Sequence, residues 1–114
     1  MKATLMVRRI LFVCSGNRDR SPTAEQLFKT SESSEVRSAG TLRTAPTPIS
    51  TDLIRWADKI FAMEEEHKRQ ILKICPEASE KIIVLNIEDR YYRNDPQLIA
   101  ILKTKVTPHL KREG

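Results

Sequence analysis

The sequence predicts an α/β fold, a single domain over residues 1–114 in three layers, with a four-stranded parallel sheet between helices on both faces. Three observations point there. Short apolar runs recur four times, and each is followed by a longer stretch with helical spacing. No repeat, linker or low-complexity segment interrupts the alternation. A chain of 114 residues is also long enough for one core and too short for two.

The first strand is the run Ile10-Leu11-Phe12-Val13. After a loop, Ser21-Pro22 reads as a helix N-cap with proline in the first turn. Ala24, Leu27 and Phe28 then give the three- and four-residue spacing of a buried stripe, and polar residues 31–34 end the helix. Residues 35–39 form a weaker strand closed by Gly40, followed by a Thr- and Pro-rich loop over 41–48. Ser50 or Thr51 caps a short helix through Leu53, Ile54 and Trp56, with Trp56 at core spacing. Residues 59–63 are the third strand and 64–74 the third helix, whose opening glutamates suit the positive end of the helix dipole. Residues 81–85 are the clearest strand. Asp95-Pro96 opens a last helix in which Leu98, Ile99, Leu102 and Val106 share a face, and Pro108 is expected to kink or end it. In sheets of this kind ligands lie beyond the carboxyl ends of the strands, so the loops after Val13, Ala39, Met63 and Leu85 are where a site belongs.

Composition narrows the function classes. Hydrophobic residues at 39% and charged residues at 31% are ordinary for a soluble globular protein. The formal charge of +5 favours anionic partners. The charges are scattered, so a nucleic-acid partner is disfavoured, and Lys103, Lys105, Lys111 and Arg112 read as a solvated helix end. Cys14 and Cys75 are too few for a disulfide scaffold and are not spaced as metal ligands, so reduced thiols and no metal are expected. The apolar run at residues 10–13 is too short for a signal-peptide core or a membrane span, which points to a cytoplasmic protein without a membrane partner. His67 and His109 have no partner at catalytic spacing and are expected on helix surfaces.

The stretch that carries chemistry is Cys14-Ser15-Gly16-Asn17-Arg18-Asp19-Arg20-Ser21, between the first strand and the first helix. A loop this short can curl so that successive backbone N–H groups point inward, and the following helix adds its own free N–H groups and dipole. Gly16 and Asn17 tolerate the positive φ that such a loop requires. Arg20 supplies a planar fork able to grip two phosphate oxygens, which lysine cannot do. The field that binds a phosphate also favours a thiolate, so Cys14 is expected to act as an ionised nucleophile hydrogen-bonded by Ser21. Attack on a bound phosphate monoester would form a phosphocysteine, and hydrolysis would release inorganic phosphate. Expelling the leaving group needs a proton donor, which the loop after the fourth strand offers as Glu88, Asp89 or Asp95. Asp89 lies close after the strand and precedes Tyr91-Tyr92, which could flank a phenyl ring. Asp95 stands where a helix N-cap is expected, so Asp89 is the favoured acid.

Residues 10–28, ILFVCSGNRDRSPTAEQLF, resemble the opening of the low-molecular-weight protein tyrosine phosphatases. Arg37-Ser38-Ala39-Gly40-Thr41 is similar to a second landmark of that family, Ala57-Asp58 through Met63-Glu64 resembles its third strand, and the fourth strand with Asp89 its acid loop. The resemblance implies a cysteine-dependent protein tyrosine phosphatase without a cofactor, acting on a phosphorylated protein or a small phosphate ester. It implies Cys14 as nucleophile, Arg20 as transition-state clamp, Ser15 to Ser21 as the phosphate loop, and Asn17 and Ser38 as its supports.

Three departures shape the expectation. Many relatives carry a second cysteine in the loop where this chain has Asp19, expected to turn outward and pair with Arg18, so a protective disulfide cannot form there. The acid loop reads Asp89-Arg90-Tyr91 where relatives have Asp-Pro-Tyr. Residues 40–56 are short for the family, which implies a shallower cleft and leaves phosphoserine, small esters and modified nucleotides open as substrates. An arsenate reductase on this scaffold needs two further cysteines and finds only Cys75. A phosphocysteine carrier lacks an arginine placed like Arg20. The retained Cys14, Arg20 and candidate acid argue against a non-catalytic phosphate-binding module, an alternative that the altered acid loop leaves open.

Overall fold

Residues 10–13 are apolar at every position, the pattern of a strand covered on both faces. In the computed structural model, which describes residues 9–29 and 34–110, they form the heart of strand β1, Arg9–Cys14. Helix α1 covers Arg20–Phe28, β2 Glu35–Gly40, α2 Thr51–Trp56, β3 Lys59–Ala62, α3 Glu65–Ile74, β4 Ile82–Val84 and α4 Pro96–Leu110. The strands pair in parallel in the order β2-β1-β3-β4. The chain leaves β1 toward β2 on one side and returns to place β3 on the other, so strand order reverses at the carboxyl end of β1. That is where a doubly wound sheet opens a crevice.

Alternate residues of the central strands feed two cores. Ile10, Phe12, Phe61 and Met63 pack with Ala24 of α1 and Leu98, Leu102 and Val106 of α4. Leu11, Val13, Ile60 and Ala62 pack on the opposite face with Ile54 of α2 and Ile71 of α3. Phe12 stacks on Phe28 and Phe61, with ring centroids 5.7 and 5.3 Å away. Burying this apolar surface is the main force holding the three layers together.

Several boundaries move for identifiable reasons. Asp19, not Ser21, is the N-cap residue of α1, and Pro22 lies in its first turn. The Ser21 hydroxyl is instead turned to the Cys14 sulfur. The predicted end of that helix at residues 31–34 falls mostly outside the described residues; Lys29 is already its C-cap. Ser50 caps α2 by accepting the Leu53 N–H at 3.2 Å. A 3-10 helix, Pro76–Lys81, takes up the start of the predicted fourth strand, and Lys81 Nζ anchors it to the Ala57 carbonyl at 2.6 Å. Pro108 does not end α4, which runs on to Leu110. Proline in the last described turn removes one ladder bond, and the stripe of Leu98, Leu102 and Val106 before it stays buried. Trp56 is half-buried against the second core, with the Arg37 guanidinium 4.2 Å from its ring centroid. None of the described helices is long and apolar enough to cross a membrane.

Candidate active site

Cys14 ends β1 at the crevice, opposite Gly40 in the register, and is buried to 2% exposure. Backbone bonds hold the loop that follows against β2 and its extension. Thr41 N–H donates to the Cys14 carbonyl at 2.9 Å and Leu42 N–H to the Ser15 carbonyl at 3.0 Å. Gly40 lets this approach happen, because a Cβ there would stand 2.5 Å from the Ser15 carbonyl oxygen and 2.7 Å from Ala45 Cβ. Only Asn17 takes positive φ in the loop, at 56°. Gly16 does not, and a Cβ on it would come no nearer than 3.9 Å to a neighbour, so the expected conformational need at that glycine is absent.

Asn17 organises the rear of the loop. Its Oδ1 accepts the Thr47 N–H at 3.2 Å, which fixes the orientation of the amide. Its Nδ2 then donates to Ser21 Oγ at 2.9 Å and Ser38 Oγ at 3.0 Å. Ser38 Oγ in turn donates to Glu25 Oε1 at 2.5 Å. Ser21 Oγ, already an acceptor from Asn17, lies 3.0 Å from the Cys14 sulfur and 3.4 Å from the Ala39 carbonyl, to which it donates. The Asn17 backbone N–H also points at that sulfur, at 3.2 Å. A backbone N–H and a hydroxyl thus converge on Sγ. Among the described residues no buried side-chain nitrogen or oxygen lacks a partner, so the network is complete.

Arg20 is 2% exposed, and its Nη1 donates to the Ile87 carbonyl at 2.7 Å. Burying a guanidinium demands compensation, and two carboxylates supply it. Glu64 Oε2 lies 3.6 Å from Nη1 and Asp89 Oδ2 3.7 Å from Nη2. Asp89 comes from the loop after β4, which Asn86 turns at φ 57° and which Lys105 of α4 ties down through the Leu85 and Asn86 carbonyls at 2.8 and 3.2 Å. Lys105 therefore does more than solvate a helix end. Lys111 and Arg112 lie outside the described residues.

Cys14, Ser15, Gly16, Arg18, Asp19, Arg20, Leu42 and Asp89 line one cavity of about 260 Å³. The structure thus brings the sulfur, the guanidinium and the favoured acid together. Asp95 is buried at the start of α4, where its Oδ1 accepts the Gln97 N–H at 2.9 Å, a helix-capping position and not part of the cavity. The expected pair between Arg18 and Asp19 does not form, and both residues line the cleft. Neither tyrosine flanks it. Tyr91 packs against the first core under Arg90, and Tyr92 is exposed. The apolar wall is Leu42. Among the described residues no group of three or more His, Cys, Asp or Glu is placed to hold a metal ion.

His67 departs most from expectation, since it is 1% exposed and not on a helix surface. Its Nδ1 accepts the Glu64 N–H and its Nε2 meets Ser15 Oγ, both at 2.9 Å. Burial first, and then the Arg20 charge, hold its pKa below the ordinary 6.5. His109 is exposed as expected, with its ring edge on Phe61 at 5.9 Å. His67 and Glu64 were the residues to find in Glu64-Glu65-Glu66-His67, a capping-box spacing directly after a central strand.

Comparison with known proteins places this geometry. Residues 9–46 match the model of the low molecular weight phosphotyrosine protein phosphatases. The protein-arginine-phosphatase of Geobacillus stearothermophilus is 32% identical, over 70% of each chain, and that of Bacillus subtilis 31% identical, over 67% of this chain and 69% of its own. The tyrosine phosphatase Wzb of Escherichia coli K30, solved in complex with phosphate, superposes with a TM-score of 0.78 at 26% identity, covering 92% of this chain and 97% of its own. The YwlE arginine phosphatase of Geobacillus stearothermophilus superposes with a TM-score of 0.68 at 26% identity, covering 90% and 94%. Fold and relatives together define a cysteine-dependent protein phosphatase. The chain belongs to the low molecular weight phosphotyrosine protein phosphatase family.

Proposed function

We propose that this chain hydrolyses phosphotyrosine in proteins through a phosphocysteine on Cys14. The observation that carries the reading is the Cys14 sulfur on the floor of a cavity, with Ser21 and the Asn17 N–H aimed at it and Arg20 and Asp89 on the wall. A thiolate has lone pairs free for in-line attack on the phosphorus. As the S–P bond forms and the ester P–O bond breaks, Asp89 gives its proton to the departing oxygen. The Asp89 carboxylate then takes a proton from water, whose oxygen attacks phosphorus as the S–P bond breaks, releasing inorganic phosphate and the thiolate. Throughout, Arg20 and the loop amides balance charge on the equatorial oxygens. Cytoplasmic placement fits a reduced Cys14.

Leu42 offers an apolar wall for a phenyl ring, and the Arg18 cation at the rim opposes a guanidinium. A second reading, phosphoarginine, is favoured by Asp19 and Asp89 at the same cleft, two carboxylates able to pair with a guanidinium, and by the absence of an aromatic ring from its wall. Competition between a phosphotyrosyl and a phosphoarginyl peptide of the same flanking sequence decides. The first reading expects kcat/KM at least about tenfold higher for phosphotyrosine. The reverse ratio selects the second reading, and no turnover of either peptide or of an aryl phosphate removes both.

A further inference from the structure

The ring of His67 uses both nitrogens. A backbone N–H can only donate, so Nδ1, which receives the Glu64 N–H, carries no proton. The single proton of the neutral ring is therefore on Nε2, and it is donated to Ser15 Oγ. Ser15 is the residue after the nucleophile, and its carbonyl is already held by Leu42. Glu64 is the residue whose carboxylate stands beside Arg20. One imidazole thus joins the first turn of the phosphate loop to the backbone of the residue whose side chain stands beside the guanidinium.

We propose that neutral His67 is a positioning residue of this site, holding the Cys14 loop and the Arg20 guanidinium in mutual register by bridging Ser15 and Glu64. The inference rests on the phosphatase reading above and adds a residue to it. A second proton on the ring would have to go to Nδ1, where it would meet the Glu64 N–H donor to donor, so protonation breaks the bridge. The groups facing the ring pull both ways. Arg20 of α1 opposes the proton, while Glu64 and Glu66 at the start of α3 and Asp89 from the loop after β4 favour it. Burial is the largest influence and sides with Arg20, so the bridge is intact at neutral pH and opens only in acid.

Glutamine is the discriminating replacement. At the third position of a helix its carbonyl can accept the cap residue's N–H, as in a capping box, while its NH₂ still reaches outward to donate. It makes both bonds and has no proton to gain.

The test measures affinity for inorganic phosphate, and turnover of an aryl phosphate, in wild type, Ser15→Ala, His67→Leu, their double variant and His67→Gln. Each runs from about pH 5 to about pH 8, the range over which an imidazole titrates. Ser15→Ala and His67→Leu should each weaken phosphate binding by about tenfold, the scale of one hydrogen bond in a buried network. The double variant should be no worse than His67→Leu, because both cut the same link. His67→Gln should recover most of the affinity, and the ratio of wild type to His67→Gln should fall as the solution is acidified. Should His67→Leu not fold, Ser15→Ala carries the test, since it leaves the α3 cap untouched, and the imidazole ¹⁵N shifts of wild type report whether Nε2 holds the proton. Unchanged affinity in Ser15→Ala, additive losses in the double variant, or a proton on Nδ1 overturns the inference. Wild type that binds no phosphate defeats the phosphatase reading itself, whereas binding indifferent to Ser15 and His67 defeats this inference alone.

Discussion

Cys14 and Cys75 are buried to the same 2% exposure, and each ends a secondary-structure element. Their surroundings are opposite in sign. Cys14 receives the Asn17 N–H and faces the Ser21 hydroxyl at the head of an open cavity, near Arg20. Cys75 lies in the second core, and its S–H donates to Glu77 Oε2 at 3.3 Å. Cys14 thus meets a backbone donor and a hydroxyl, whereas Cys75 meets a carboxylate acceptor. Burial alone therefore does not tell the two thiols apart; their partners and the open cavity do.

The contrast is most severely tested by replacing each sulfur. Cys14→Ser should lower aryl-phosphate turnover by at least about 10⁴-fold while phosphate binding persists. Cys75→Ser should leave turnover at the wild-type level and cost about 1 kcal/mol of stability in denaturant titration. Comparable loss of turnover in both would erase the distinction. Arg20→Lys comes next, with turnover down by about 10²- to 10³-fold, because a single ammonium cannot grip phosphate and hold the Ile87 carbonyl together. Asp89→Asn should cost about 10²-fold with an alkyl phosphate and far less with a nitrophenyl ester, whose leaving group departs unprotonated. Asp95→Asn should leave both rates alone, and a reversal of that pattern would move the acid to Asp95.

The smallest effect concerns pH. His67 has a folded pKa below its unfolded value of about 6.5, so below that pH the unfolded chain binds the extra proton first. The stability contributed by the neutral ring is fully present above about pH 6.5 and is lost as pH falls from there toward the lowered folded value. Melting curves should show wild type losing more stability than His67→Gln over that acid range. Parallel loss in the two proteins would show that other groups govern acid stability.

How much of this was legible before the structure depended on distance along the chain. Strand, loop and helix from Ile10 to Phe28 are local, and period, turn residues and the Cys–Arg–Ser spacing all lie within one window. The role of Asp95 as a cap was readable for the same reason. His67 looked like a surface residue because its partner Ser15 is 52 positions away, and only the parallel pairing of β1 with β3 brings them together. Ser21 was half legible. Its contact with the Cys14 sulfur follows from the loop as expected, whereas the N-cap its context suggested falls to Asp19. The tyrosines failed as cleft walls because the loop after β4 turns at Asn86 and hands Tyr91 to the core.

One consequence follows from the bareness of Gly40. The end of β2 is the mould against which the loop above it is cast, and the mould works because it has no relief. An added methyl would overlap the Ser15 oxygen and the Ala45 side chain, and it would also crowd Asn17, standing 3.1 Å from its Cβ. It would lift the loop off its seat by some fraction of an ångström, while displacements on the order of 1 Å are enough to cost a reaction about two powers of ten. Flesh cannot be put on this point of the scaffold without recasting the loop.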